Sequence, residues 1–96
     1  AIQITGIKAV PSTAQGGAMT ATVCKVSGTS APANGTTPMH TANAIDLNAS
    51  AYTVQTISLT ATGADLVLAS GDRIGVDYSG APTAAHWCLT LAYKYV

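Results

Sequence analysis

The fold is decided by residues 87–95, whose sequence is WCLTLAYKY. Its large side chains are Trp87, Leu89, Leu91, Tyr93 and Tyr95, and they alternate with Cys, Thr, Ala and Lys. Successive side chains of a β-strand point to opposite faces, so this alternation predicts a strand with one large apolar face. Trp87 is in phase with Leu89 and Leu91, and we therefore expect its side chain in the core.

The same period of two recurs along the rest of the chain. Further strands are expected at residues 2–5, 19–24, 44–47, 52–60, 65–69 and 72–79. The apolar face changes near Thr56, which predicts a bulge or bend there. Gly, Pro, Asn and Asp separate these segments. Seven or eight short strands at roughly ten-residue spacing predict an all-β chain, a single antiparallel β-sandwich domain over residues 1–96.

Two segments allow more than one interpretation. In residues 1–17, Ile2 and Ile4 precede a flexible stretch, which suits an N-terminal arm that contacts a partner. The same residues also suit the first strand of the sandwich. Residues 27–38 are small and polar and predict a loop, either a plain connection between sheets or a surface that contacts a neighbour.

The composition excludes several classes of protein. Ala, Thr, Gly and Ser supply 48 of the 96 residues, only eight residues carry a full charge, and the formal net charge is zero. Four scattered cations do not form the basic surface that a nucleic-acid partner requires. No apolar run approaches the roughly 20 residues of a membrane span, and no signal-peptide pattern is present. Small side chains bury little area and a neutral surface repels little, so oligomerisation or docking is expected.

The residues that could perform chemistry are few and scattered. A metal site needs three or four ligands, and His40 has no His, Cys or Asp within five residues. His86 and Cys88 share one strand face, but a third ligand could come only from Cys24 if the strands paired. No nucleophile motif or phosphate-binding loop is present. We therefore expect no enzyme activity and no metal or cofactor.

Cys24 and Cys88 could form at most one disulfide. A secreted domain that depends on disulfides normally carries four or more cysteines. Free thiols are the expectation, and a bridge between neighbouring strands stays open as the alternative.

The second half of the chain resembles a known group of proteins. Residues 52–60, the run LVLASGDRIGVDYSG at 66–80, and LTLAYKY at 89–95 resemble, in this order, small virion proteins that decorate or cement the heads of tailed bacteriophages. The strand, Gly-Asp turn and strand at 66–76 also resemble a strand pair in trimeric jelly rolls of the tumour-necrosis-factor type.

The resemblance implies a jelly-roll-like sandwich that forms a homotrimer and docks on the major capsid protein. It implies a structural protein on the outer capsid surface of the virion, assembled in the host cytoplasm. The candidate contacts with another subunit or with the capsid are Ile2, Ile4, Tyr93 and Tyr95. Tyrosine suits a contact because it combines a large area with a polar tip.

Two other functions fit the same composition. A glycan- or receptor-binding domain of a phage fibre would present exposed aromatic side chains in loops. A pilus or surface-layer subunit shares the Ala, Thr and Gly content and would carry a secretion signal.

Overall fold

The computed structural model describes residues 1–27, 37–81, 83 and 85–96. They form two antiparallel four-stranded sheets that pack face to face, which confirms the prediction of an all-β sandwich. The strands are β1 (Ile2–Thr13), β2 (Thr20–Val26), β3 (Thr37–Pro38), β4 (Ile45–Asp46), β5 (Gln55–Ile57), β6 (Val67–Leu68), β7 (Arg73–Tyr78) and β8 (His86–Tyr95). A 3₁₀ turn, Gly63–Leu66, precedes β6. The loop expected over residues 27–38 lies mostly outside the described residues.

Strand β1 is the central strand of the first sheet. Along one edge it pairs with β8 over its whole length, from Ile2 opposite Tyr95 to Thr13 opposite His86. Along the other edge it pairs with β6 near its start and with β5 further on. Twelve residues of β1 oppose ten of β8, and the two register shifts leave Thr5 and Ser12 as bulged residues.

The strand continues through Pro11, although proline is a residue that usually marks a turn. Proline has no N–H and is rare in central strands except at bulges. The bulge at Ser12 follows it directly, and the Pro11 carbonyl accepts the N–H of Tyr52 at 2.6 Å. The proline ring is buried opposite Trp87. The bulge and the Tyr52 contact therefore allow β1 to extend to Thr13.

The N-terminal residues belong to the sandwich itself. Residues 2–13 form the central strand, which corresponds to the strand interpretation of this segment. Ile4 and Ile7 are each 1 % exposed and pack in the core. The side chain of Ile4 is therefore not accessible to a partner, whereas Ile2 is half-buried.

Strand β2 is the central strand of the second sheet. Strand β7 pairs along one edge, from Ala21 opposite Tyr78 to Val26 opposite Arg73, and β3 and β4 pair along the other. The core between the sheets contains Ile4, Ile7, Ala9, Met19, Ala21, Val23, Met39, Ile45, Leu47, Ile57, Leu66 and Leu68. Fully burying one of the larger aliphatic side chains contributes about 1.5–3 kcal/mol.

The chain buries as much surface as an ordinary domain of its size. Its accessible surface is 5304 Å². Size scaling gives about 5,100 Å² for a folded monomer of this mass.

One side of the sandwich is closed by hydrogen bonds that join the two sheets. The Thr60 N–H donates to the Met39 carbonyl at 2.8 Å. Further along, the Gln55 side chain accepts the Asp46 N–H at 2.8 Å and donates to the Asp46 carbonyl at 2.7 Å. The Gln55 side-chain amide thus makes the two hydrogen bonds with Asp46 that the backbone of a neighbouring strand would otherwise make. We call this the closed side.

His40 fastens the closed side to β2. Its Nε2 accepts the Val23 N–H at 2.9 Å, and its Nδ1 lies 2.7 Å from the Thr41 carbonyl. A backbone N–H only donates and a carbonyl only accepts, so the ring is the neutral tautomer with its proton on Nδ1. His40 is 3 % exposed and forms a β-bridge with Leu59. Both ring nitrogens are engaged in hydrogen bonds with backbone groups, and His40 is therefore a structural residue.

Replacing His40 with Leu keeps a similar volume but leaves the buried Val23 N–H without an acceptor. We expect the free energy of unfolding to fall by about 1–3 kcal/mol, the cost of one unsatisfied buried donor, measured by urea unfolding. The matched control is His86→Leu at the exposed start of β8, where a change within about 0.5 kcal/mol is expected. An equal loss in both variants would contradict this role of His40.

Candidate functional site

The side opposite the closed side consists of two free strand edges. Within the described ranges, β7 pairs only with β2 and β8 pairs only with β1. Both strands direct large apolar side chains toward the core. These half-buried residues are Ile74, Val76 and Tyr78 of β7 and Trp87, Leu89 and Leu91 of β8. We call this the open side.

Trp87 closes one end of the open side. Its ring contacts that of Tyr78 edge to face, with centroids 6.4 Å apart and planes at 88°. Its Nε1 donates to the Tyr78 hydroxyl at 3.2 Å. The sequence predicts that Trp87 is buried in the core. Trp87 packs against the core but is half-buried, because it lies on an edge strand.

At the other end of the open side, the core-facing surface of the first sheet extends past the region that the second sheet covers. Tyr93 lies opposite Ile4 and Tyr95 opposite Ile2, so both tyrosines are on the inner face. They are nevertheless 55 % and 81 % exposed. Their rings contact each other edge to face, with centroids 5.9 Å apart. We call Ile2, Tyr93 and Tyr95 the aromatic end.

The aromatic end adjoins the free edge of β8. This edge strand is ten residues long, contains no proline, and carries Lys94 as its only Lys or Arg. Natural proteins usually protect edge strands by short length, charge, proline or a bulge, since an unpaired edge can bind another chain. Here the bulges lie on β1. A long free edge beside exposed tyrosines has the properties of a protein contact surface.

The titratable side chains do not converge on a reactive site. The described residues contain no group of three or more His, Cys, Asp or Glu that could hold a metal ion. Cys24 is buried on β2, whereas Cys88 is exposed on β8, and both are free thiols. His86 is exposed at the start of β8. The side chains that the open side presents are mainly apolar and aromatic.

Asp72 shapes the turn between β6 and β7. Its carboxylate accepts the Ala69 N–H at 2.9 Å and the Ser27 hydroxyl at 3.0 Å. These hydrogen bonds, with a smaller contribution from the charge of Lys25, hold the pKa of Asp72 below its usual value. These interactions therefore stabilise the folded chain above the usual pKa of Asp, and this contribution to the free energy of unfolding is lost as pH falls through the lowered pKa of Asp72. Gly71 has a φ of 93°, which glycine adopts without a steric penalty.

Tyr52 is a further exposed tyrosine that the sequence placed in a strand. Only Gln55–Ile57 of the expected segment 52–60 form a strand, β5. Tyr52 has a φ of 65° and is 76 % exposed. Its N–H bond to the Pro11 carbonyl holds it in this turn, although the left-handed region is unfavourable for a residue with a Cβ.

Comparison of the chain with protein-family models, curated proteins and solved structures gave no match. Among the described residues, no helix has the length and apolar character needed to cross a membrane. The aromatic end and the free β8 edge are therefore interpreted from their own geometry.

The two thiols should differ in reactivity. Cys88 is exposed, whereas Cys24 is 2 % exposed, so we expect one thiol per native chain to react with a maleimide. Two thiols should react in denaturant, and a reductant should leave the melting temperature unchanged because no disulfide is present. Mass spectrometry of the labelled chain identifies the site. Labelling of Cys24 in the native state, or a lower melting temperature with reductant, would contradict this arrangement.

Proposed function

We propose that this chain is a non-enzymatic structural virion protein that decorates and stabilises the capsid of a tailed bacteriophage. Three copies associate through the aromatic end, and the trimer docks on the major capsid protein at the outer surface of the head. The observation that carries the proposal is the exposed continuation of the inner face at Tyr93 and Tyr95. The sequence resemblance supplies the viral context.

Association would remove from water an apolar surface that the single chain leaves open. A tyrosine buries on the order of 150–250 Å² when it is fully covered, and its hydroxyl can stay at the wet rim of a contact. Each Å² of apolar surface removed from water contributes about 25 cal/mol. In a three-fold arrangement, Tyr93 and Tyr95 of each copy would pack around the axis, which extends the edge-to-face contact already present within one chain.

The low charge of the chain supports close approach of identical copies. The formal net charge is zero, and Lys94, the residue between the two tyrosines, lies on the outer face of the sheet, away from the aromatic end. Like-charge repulsion between subunits is therefore small.

Docking explains how such a protein could stabilise a shell. A ligand that binds the assembled capsid but not its separated subunits shifts the equilibrium toward the assembled state. At a free concentration of about 100 times the Kd, this linkage contributes about 2.7 kcal/mol per site.

Tyr52 favours a second candidate function, a glycan-binding domain of a phage fibre. This function would place an exposed aromatic side chain in a loop, and Tyr52 is an exposed aromatic residue in a turn. An aromatic face of this kind can stack against a sugar ring. Only this residue distinguishes the second candidate, so we rank it below the capsid proposal.

The variant Tyr93→Ser/Tyr95→Ser removes the aromatic surface and leaves the buried core intact. We expect the wild-type chain to sediment as a trimer at micromolar concentration and the double variant as a monomer, with the same circular dichroism spectrum. The matched control is Tyr52→Ser, which removes an exposed tyrosine elsewhere and should stay trimeric. A monomeric wild type, or a double variant that remains trimeric, would contradict the proposed contact.

The capsid role is tested on phage heads that contain or lack this chain. We expect heads without it to release DNA at a lower temperature, followed with a DNA-binding dye, because they lose the linkage stabilisation. Adding back the wild-type trimer should restore the higher temperature, and the double tyrosine variant should not. Equal heat resistance of the two kinds of head would refute cementing. Binding to host-cell glycans that is lost in Tyr52→Ala would support the fibre function instead.

A further inference from the structure

The outer face of the first sheet carries a concave surface that the proposed assembly does not use. The strand register determines which side chains form it. Lys8 of β1 lies opposite Thr56 of β5 on one side and opposite Thr90 of β8 on the other. In the adjacent row of the same face, Gly6 lies opposite Ala92. A row of three hydrogen-bond donors therefore adjoins a row that has no large side chain.

This combination leaves a pocket of about 340 Å³. Gly6 and Ala92 of the sheet form the floor of the pocket. A Cβ built on Gly6 would come within 3.4 Å of the Ala92 Cβ, so the two residues are closely packed. The bulged Thr5 and Leu59 also line the pocket. The volume is at the lower end of the roughly 300–1,000 Å³ typical of small-molecule sites. A small ligand with an aliphatic part fits this size.

The polar groups of the pocket are all able to donate hydrogen bonds. Lys8 is the only charged residue in the lining, which contains no acid. Thr56 and Thr90 lie directly opposite Lys8 in the two ladders, where Cβ atoms are about 4.5–5.5 Å apart. Within the described residues, these three side chains make no hydrogen bond or ion pair. Their donors are therefore available to a ligand.

We propose that this pocket binds short aliphatic carboxylates. The hydrocarbon chain lies over Gly6 and Ala92, and the carboxylate lies at Lys8 between the two threonines. A carboxylate accepts several hydrogen bonds, so it can pair with the ammonium and with both hydroxyls. This proposal does not depend on the capsid function, because the aromatic end is on the opposite face of the sheet.

The test is a titration of the ¹⁵N-labelled chain with butanoate, hexanoate and octanoate, followed by amide shifts in NMR spectra. We expect the shifts to concentrate at residues 5–8, 56–59 and 90–92. Affinity should rise about fourfold for each buried methylene until the pocket is full. Hexanamide has a similar shape without the charge and should bind about fivefold more weakly than hexanoate.

Two variants and one control identify the groups responsible. Lys8→Gln should abolish the preference for hexanoate over hexanamide while the dependence on chain length remains. Ala92→Leu fills the exposed pocket and should abolish binding of both compounds. The control is Lys94→Gln on the same outer face, which should leave the binding of hexanoate and of hexanamide unchanged.

Shifts spread evenly over the chain, or hexanoate binding unchanged in both Lys8→Gln and Ala92→Leu, would overturn the proposal. The oligomeric state of each variant is measured in the same samples. A failure of carboxylate binding with the trimer intact is thereby distinguished from a failure of the proposed assembly.

Discussion

The antiparallel ladder between β1 and β8 is the constraint on which the rest of the structure depends. Ile4 and Ile7 are three residues apart and would point to opposite faces of a regular strand. The bulge at Thr5 restores the phase, so both are buried, opposite Tyr93 and Leu91 of β8. The ladder thereby keeps one apolar face over the whole length of β8, including the part that extends past the second sheet.

The same ladder produces two surfaces with different chemistry. On the inner face, the second sheet ends before β8 does, and the aromatic end is left exposed. On the outer face, the bulge is followed by Gly6 opposite Ala92, and their small size leaves the pocket beside Lys8. The closed side, held by His40 and Gln55, joins the sheets opposite the free edges. Within the described residues, the sandwich is therefore asymmetric: side-chain and backbone hydrogen bonds join the sheets on the closed side, and β7 and β8 each pair on one edge only.

Local alternation was sufficient to predict β8, β7 and the all-β class, and it also placed Tyr93 and Tyr95 on one face. It could not reveal the extension of β1 through Pro11, because a bulge depends on the partner strand. Residues 52–60 alternate, yet the turn at Tyr52 depends on a hydrogen bond to Pro11, distant in sequence. The half-burial of Trp87 follows from strand order, and the pocket at Lys8 follows from register across three strands. Neither property is encoded in the period of one segment.

The central claim is that the uncovered end of the first sheet is an assembly surface. Amide hydrogen exchange of the wild-type chain over a dilution series tests this most directly, because it reports on each segment of the backbone. The account predicts that amides of residues 93–96 exchange slowly at high concentration and faster on dilution, while the central strand β2 is protected throughout. Exchange of residues 93–96 that is equally fast at every concentration would contradict it.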